Sequence, residues 1–347
     1  MKLDWLHLKQ FRNYSDQSFK FDGNLTIITG KNGVGKTNIL ESVYLLLNGS
    51  SWRDHDRDLI SFERDWWRID GRIDDHERSV SYKTEPVGLK QISTDGSPWR
   101  RFSSPRKLPA VLFEPDQLNM VHGSPGSRRR FIDEMIVSLD PSYNPLTNRY
   151  ERVLRQRNNL LKQHRFSSKL EDLMFAWDVS LAQYGAEIMT KRRDLAEALN
   201  QGLSQLYSEL SGQVDDLLVD YQPSLKIDSQ TESRLAKLLK TNLKQDQSRG
   251  YTSVGPHRDD FSFVLNGQPA ATSASRGEVR SLVYGLKRRQ LSLIEEVSGI
   301  KPIFLMDDLF SELDESRQKN ISTRFGNQTI ITTTAAHPEI KAKRIRL

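Results

Sequence analysis

Gly30-Lys31-Asn32-Gly33-Val34-Gly35-Lys36-Thr37 fits the pattern G-x-x-x-x-G-K-[ST]. Before it, Leu25-Thr26-Ile27-Ile28-Thr29 is a short β-branched run of the kind that forms a buried strand. After it, Asn38 to Leu47 carries apolar residues at helical spacing. A strand, a glycine loop and a helix N-terminus make an anion site, because backbone N–H groups converge there and the helix dipole favours negative charge. The glycines let the backbone approach a phosphate where a Cβ would collide. Gly30, Asn32, Gly33, Gly35, Lys36, Thr37 and Asn38 are therefore the candidate nucleotide-binding residues. Lys36 is expected on the β- and γ-phosphates of ATP, and Thr37 on Mg2+.

A second half of such a site stands near the C-terminus. Pro302-Ile303-Phe304-Leu305-Met306-Asp307-Asp308 is an apolar strand ending in two carboxylates. Asp307 is expected to bind the metal, and Asp308 to orient the attacking water or accept its proton. Upstream, Ser275-Arg276-Gly277-Glu278 opens an apolar-striped helix, again an anion site at a helix N-terminus. Ser311-Glu312-Leu313-Asp314 follows the acidic strand. Together these resemble the signature motif and D-loop of ABC-type ATPases, in which one subunit's signature caps the phosphate loop of another.

The bulk of the chain limits the alternatives. Its 347 residues can bury one large core or two smaller ones. Hydrophobic residues make up 36% and mean hydropathy is −0.62, yet aromatic and aliphatic residues are spread throughout, which argues against disorder. No run of 18 apolar residues exists to span a membrane. Met1 to Lys9 alternates in hydropathy and reads as a strand, not a signal peptide. The absence of cysteine excludes disulfides and thiolate metal sites and is compatible with the expected cytoplasmic location.

Net charge is +6, unevenly spread. Residues 121–165 hold nine Lys or Arg against four acids, which suggests a polyanion partner. Arg128, Arg129, Arg130, Arg155 and Arg157 are the candidate DNA-binding residues. A charge run alone is more often the mark of a solvated helix face.

Composition shifts near residue 120. Gly123-Ser124-Pro125-Gly126 reads as a linker. Apolar stripes at spacings of three and four then predict helices over 131–139, 146–161 and 170–199, with a turn at His164 to Ser168. No long heptads extend them into a coiled-coil arm. Phe261, Phe263 and Leu265 alternate up to Asn266-Gly267, a hairpin signal. The expected fold is α/β: an ABC-type P-loop ATPase lobe with an inserted α-helical lobe and no long coiled coil. Its expected divisions are 1–120 with the phosphate loop, 121–250 mainly helical, and 251–347 with the signature and acidic strand.

Further stretches sharpen the resemblance. Leu8-Lys9-Gln10-Phe11-Arg12-Asn13-Tyr14, the phosphate loop with Asn38-Ile39-Leu40-Glu41, Gly126-Ser127-Arg128-Arg129-Arg130-Phe131-Ile132-Asp133, Gln156 to Lys162, Gly255-Pro256-His257-Arg258-Asp259-Asp260 and the Asp307-Asp308 strand resemble the RecF family, in its order, from residue 8 to 314. Ordinary ABC transporters lack the R-R-R-F-I-D and G-P-H-R-D-D elements.

The resemblance implies a recombination mediator that forms an ATP-dependent homodimer on DNA at single-strand gaps. It also implies slow, DNA-stimulated hydrolysis and RecR and RecO partners, so that a recombinase is loaded. Arg12 and Asn13 would lie near the nucleotide, and Ser275, Gly277 and Arg280 would reach the partner subunit's ATP. The family's E-D in the loop joining the lobes is replaced by Asp116-Gln117. The switch position falls on Thr332-Thr333-Thr334, with His337 as the alternative. His257 is expected to support a loop. The competing readings are a transporter nucleotide-binding subunit and a nucleotide-gated scaffold that does not hydrolyse.

Overall fold

The computed structural model describes residues 1–103, 106–163, 170–312, 317, 318, 320, 326–335 and 340–347. The turn expected at His164–Ser168, Leu313 and Asp314 of the expected D-loop, and His337 lie outside the described residues.

The chain opens with β1 (Leu3–Phe11), β2 (Tyr14–Lys20), β3 (Leu25–Thr29) and α1 (Lys36–Asn48). There follow β4 (Trp66–Ile73), β5 (His76–Lys83), β6 (Leu89–Thr94), β7 (Ser97–Trp99) and β8 (Ala110–Phe113). Next come α2 (Asn119–His122), α3 (Pro125–Leu139), α4 (Tyr143–Gln163), α5 (Leu170–Asn200) and α6 (Leu203–Ser211). Then β9 (Leu217–Gln222), α7 (Thr231–Thr241), α8 (Leu243–Arg249), β10 (Asp260–Leu265), β11 (Gln268–Pro269) and α9 (Ala270–Ser273) lead to α10 (Arg276–Ser298). Three strands complete the described elements: β12 (Ile303–Met306), β13 (Thr329–Thr333) and β14 (Lys343–Arg346).

Two compact units result. Unit 1 holds Met1–Leu118, Leu206–Val214 and Ser275–Leu347; unit 2 holds Asn119–Gln205 and Asp215–Ala274. Residues 251–274, expected with the ATPase lobe, lie in unit 2. The reason is that β10 pairs along its length with β9, Phe261 opposite Tyr221 and Phe263 opposite Val219.

Unit 1 contains a parallel sheet in the order β14-β3-β13-β12-β8. Its central strands are buried along nearly their whole length, which is why they read as continuous apolar or β-branched runs. An antiparallel sheet in the order β2-β1-β4-β5-β6-β7 is the other layer. Helix α1 packs on both. Its Leu40, Val43 and Leu46 share one core with Leu6, Trp67 and Val80 of the antiparallel sheet and with Ile28, Leu305 and Ile330 of the parallel one. Each such side chain stabilises the unit by about 1.5–3 kcal/mol, so the helix that follows the phosphate loop is anchored from two sides.

Unit 2 is helical around a small sheet in the order β11-β10-β9. The segment expected as a linker begins α3 instead: Ser124 caps it by accepting from Ser127 N, and Pro125 occupies the first turn. Proline there has no N–H to lose and a backbone angle already suited to a helix. Arg157 of α4 is fully buried and bonds Asp178 at 2.6 Å, Asp246 at 2.7 Å and Thr252 at 2.9 Å, tying α4 to α5, α8 and the loop after α8. His257 supports that loop, with Nδ1 2.7 Å from Tyr150 OH and Nε2 3.1 Å from Thr252 O. Among the described residues, no helix is long and apolar enough to cross a membrane.

Candidate functional site

The site is assembled within unit 1 at the ends of β3, β12 and β13. The loop leaves β3 and turns into α1 at Gly35, whose φ of 108° is in the left-handed region. A Cβ at Gly35 would meet the Asn13 amide at 2.6 Å and Tyr14 OH at 2.9 Å, so only glycine fits. Asn13 and Tyr14, at the β1–β2 turn, hold the loop from one side. Asn13 Nδ2 donates to Val34 O at 2.9 Å, Asn38 Nδ2 donates to Asn13 Oδ1 at 2.9 Å, and Tyr14 OH donates to Gly35 O at 3.1 Å. The Lys36 ammonium is turned back onto the loop, donating to Gly30 O at 2.8 Å and Lys31 O at 2.9 Å. Asn32 and Gly33 are exposed at the loop's tip.

Thr37 and Asp307 come together although 270 residues separate them. The hydroxyl lies 2.9 Å from one carboxylate oxygen and 3.0 Å from the other. Parallel pairing sets this distance: β13 lies between β3 and β12, so the loop after β3 and the acids after β12 emerge at the same sheet end. Thr332 of β13 adds a second donor to Asp307, at 2.5 Å, and its oxygen accepts from Asp308 N at 2.9 Å. Asp308 itself has φ of 46°, a left-handed conformation costly for a residue with a side chain.

Five arginines singled out from the sequence are held by protein groups. The Arg12 guanidinium makes a bidentate pair with the fully buried Glu41 of α1, both bonds 2.9 Å, and also bonds Asp54 and Asp58 O. Burial works against the Arg12 charge, but the bonds to Glu41 and Asp54 outweigh it and raise its pKa. Arg280 does not face outward: it is buried and donates to Asp308 O at 3.1 Å and Leu309 O at 2.9 Å. Arg157 is not available to a phosphate, since its guanidinium is spent on buried carboxylates. Arg128 makes a bidentate pair with Asp260, and Arg129 is directed to Asp259 O at 2.6 Å; Arg130 and Arg155 are exposed.

Ser275 and Gly277 stand at the N-terminus of α10. Ser275 forms a capping box, its Oγ accepting from Glu278 N at 3.3 Å while Glu278 accepts from Ser275 N at 2.7 Å.

Glu114 was not singled out from the sequence. It directly follows β8, whose Phe113 is in register with Met306, so it is placed beside Asp307 on the neighbouring strand. Burial pushes its carboxyl above the usual range and the charge of Asp307 adds to this, while Trp52 Nε1, donating at 2.5 Å, opposes it. The signal available was an acid closing a second buried strand. Asp116 is exposed, and the side chain of Gln117 accepts from Glu114 N at 3.3 Å.

The donor set fits a nucleotide with a hard divalent cation. A hydroxyl and a carboxylate, both oxygen ligands, meet beside a glycine loop at a helix N-terminus. Mg2+ keeps several waters and needs few protein ligands.

Residues 6–249 match a family model described as an AAA domain. A protein of Natranaerobius thermophilus described as DNA replication and repair protein RecF is 34% identical, with 99% of this chain and 95% of the relative covered. A protein of Staphylococcus aureus strain JH9 with the same description is 34% identical, covering 96% and 94%. The solved structure of the recombination mediator protein RecF-ATP in the RecFOR pathway superposes with a TM-score of 0.81 at 30% identity, covering 97% of this chain and 92% of that one. The Smc head domain of Pyrococcus furiosus, at 16% identity and a TM-score of 0.51, shares the fold alone.

Proposed function

This chain belongs to the RecF family, and from that membership we propose that it is an ATP-binding recombination mediator that acts on DNA at single-strand gaps. In this reading two copies close around ATP, the phosphate loop of one facing Ser275 and Gly277 of the other. The closed dimer binds DNA better than the open form, since a ligand shifts only an equilibrium whose two states it binds differently. Hydrolysis is slow, is stimulated by DNA and resets the dimer. RecR and RecO are the partners through which a recombinase is loaded, and the setting is the cytoplasm.

The roles follow from positions already described. Lys36 leaves its two carbonyl partners for the β- and γ-phosphates. Thr37 and Asp307 are the residues to hold Mg2+, which when bound neutralises phosphate charge. Thr332 keeps Asp307 oriented, and Asp308 orients the attacking water. Aspartate is shorter than the glutamate many ABC ATPases carry, in keeping with slow turnover. The observation that carries the reading is the meeting of Thr37 and Asp307 at 2.9–3.0 Å.

The test is oligomeric mass and binding to gapped duplex DNA with ATP and with ADP, at two salt concentrations, together with phosphate release. A dimer that binds DNA tightly and salt-sensitively with ATP only is the expected result. ATP-driven dimerisation without DNA binding overturns it. If phosphate release is absent with and without DNA, and Asp308→Asn changes nothing, the chain is a nucleotide-gated scaffold.

A further inference from the structure

Unit 2 sorts its basic residues by direction. Those that point inward are paired: Arg157 with Asp178 and Asp246, Arg192 with Asp133, Arg128 with Asp260. Those that point outward on α4 have almost no counter-charge. Arg149, Arg152 and Lys162 are exposed and hold no ion pair among the described residues, and Arg155 is held only by Glu151 at 3.6 Å, both ends exposed. Such an exposed pair contributes at most about 1 kcal/mol. The rest of this face is amide, with Asn148, Gln156, Asn159 and Gln163 at or near the surface.

The basic surface continues onto the next helices. Lys237 and Lys240 of α7 and Lys244 and Arg249 of α8 are all exposed. Across α4, α7 and α8 the exposed acids are Glu151 and Glu232; the remaining acid, Asp246, is buried on Arg157. The helices are held as one body. Arg157 bonds Asp246 of α8 and Leu239 O of α7, and Asn158 Oδ1 accepts from Thr252 N just past α8. A solvated helix face ordinarily mixes both signs, whereas this one sets the eight exposed basic residues named above against two exposed acids.

We propose that the outward face of α4, continued by α7 and α8, is a docking surface for the phosphate backbone of duplex DNA. The proposal rests on the DNA-binding reading given above and adds where the duplex lies. Three features select the occupant. Guanidinium and ammonium groups with side-chain amides are the donors that position a phosphate backbone. Helix α4 has 21 residues and is about 30 Å long, close to the roughly 34 Å of one duplex turn. Among the described residues, α4, α7 and α8 themselves put no aromatic side chain on this surface: both tyrosines of α4 are buried, and α7 and α8 have none; the exposed ring just past α8, Tyr251, already has the Arg258 guanidinium over it, 4.6 Å from the centroid. A single-strand site needs such rings for base stacking. No element on the face reads bases, so binding is independent of sequence.

The experiment compares the full-length protein with Arg149→Glu/Arg152→Glu and Arg149→Lys/Arg152→Lys. With ATP present, binding is measured over a salt series to an intact duplex, a gapped duplex and a single strand. The charge reversal is expected to weaken duplex binding by at least about tenfold and to lower the slope of log K against log salt by about 2, given roughly 0.9 per lost phosphate contact. The lysine variant is expected to restore both. ATP binding and the thermal midpoint should not move, since both side chains are exposed and unpaired. If the unaltered protein binds no DNA, the mediator reading fails and this inference with it. If it binds DNA and the charge reversal leaves affinity and slope unchanged, the mediator reading stands and the surface is wrong. Loss confined to the single strand overturns the duplex assignment. Loss of binding to an acidic protein partner with duplex binding intact overturns the nucleic-acid assignment.

Discussion

The hydroxyl of Thr332 bridges to the end of β12: it donates to Asp307 Oδ1 at 2.5 Å and accepts from Asp308 N at 2.9 Å. One side chain thus orients the Asp307 carboxylate and fixes the backbone of Asp308. Thr332→Val keeps the shape of β13 and removes both bonds. A hydrogen bond to a charged group contributes about 1.5–3 kcal/mol, so ATP turnover should fall at least about tenfold. Phosphate release at saturating ATP measures this; an unchanged rate would show that Thr332 does not position the acids.

Lys36→Met tests the phosphate loop. The ammonium bonds only two loop carbonyls in this structure, so its loss should leave folding nearly intact. ATP affinity, read by titration with a fluorescent analogue, should drop by at least about tenfold.

Arg280→Met should act at a distance. Its guanidinium joins α10, which Ser275 caps, to the carbonyls of Asp308 and Leu309. The buried Leu309 carbonyl and the half-buried Asp308 carbonyl would each lose this donor, at about 1 kcal/mol per bond or more. Turnover is expected to fall with little change in ATP affinity, and urea unfolding gives the stability cost.

His257 makes stability depend on pH. Burial lowers its pKa from 6.5 to about 4, outweighing the bond to Thr252 O. The unfolded chain therefore binds a proton between those values and the folded chain does not. This contribution is fully present above pH 6.5 and is lost as pH falls toward 4, reaching about 3 kcal/mol at most. Urea unfolding at pH 7 and pH 5 should differ less in His257→Gln than in the unaltered protein.

Arg157 and Arg155 should behave oppositely. Arg157→Leu leaves Asp178 and Asp246 buried without their cation and should cost about 3–5 kcal/mol. Arg155→Gln breaks only an exposed pair and should cost under about 1 kcal/mol. Thermal midpoints of the two variants check the contrast.

Legibility followed locality. The β3–loop–α1 unit could be read because strand, glycines, lysine and helix are contiguous, each with a local physical requirement. The acids after β12 could be read because a buried parallel strand is one apolar run with a sharp end. The pairing of β10 with β9, which puts residues 251–274 in unit 2, joins stretches some forty residues apart and leaves no local mark. Arg157 was misread as surface although its position told otherwise. It falls four residues from both Val153 and Leu161 on the apolar stripe of α4, so it had to face the core. Charge counting cannot see direction; helical phase can. Arg12 needed the fold, since its partners Glu41 and Asp54 lie 29 and 42 residues further along the chain.

The order of β14-β3-β13 has a consequence for synthesis. Both neighbours of β3 are encoded some 300 residues after it. While unit 2 leaves the ribosome, the strand that carries the phosphate loop has neither edge covered. Unpaired edges of that composition invite wrong partners. Unit 2 can collapse on its own contacts in the meantime, but a nascent chain cannot complete its nucleotide site until residues 329–346 arrive. The arrangement proposed to bind ATP thus waits for β13 and β14, and a chain halted before β13 is expected to lack it.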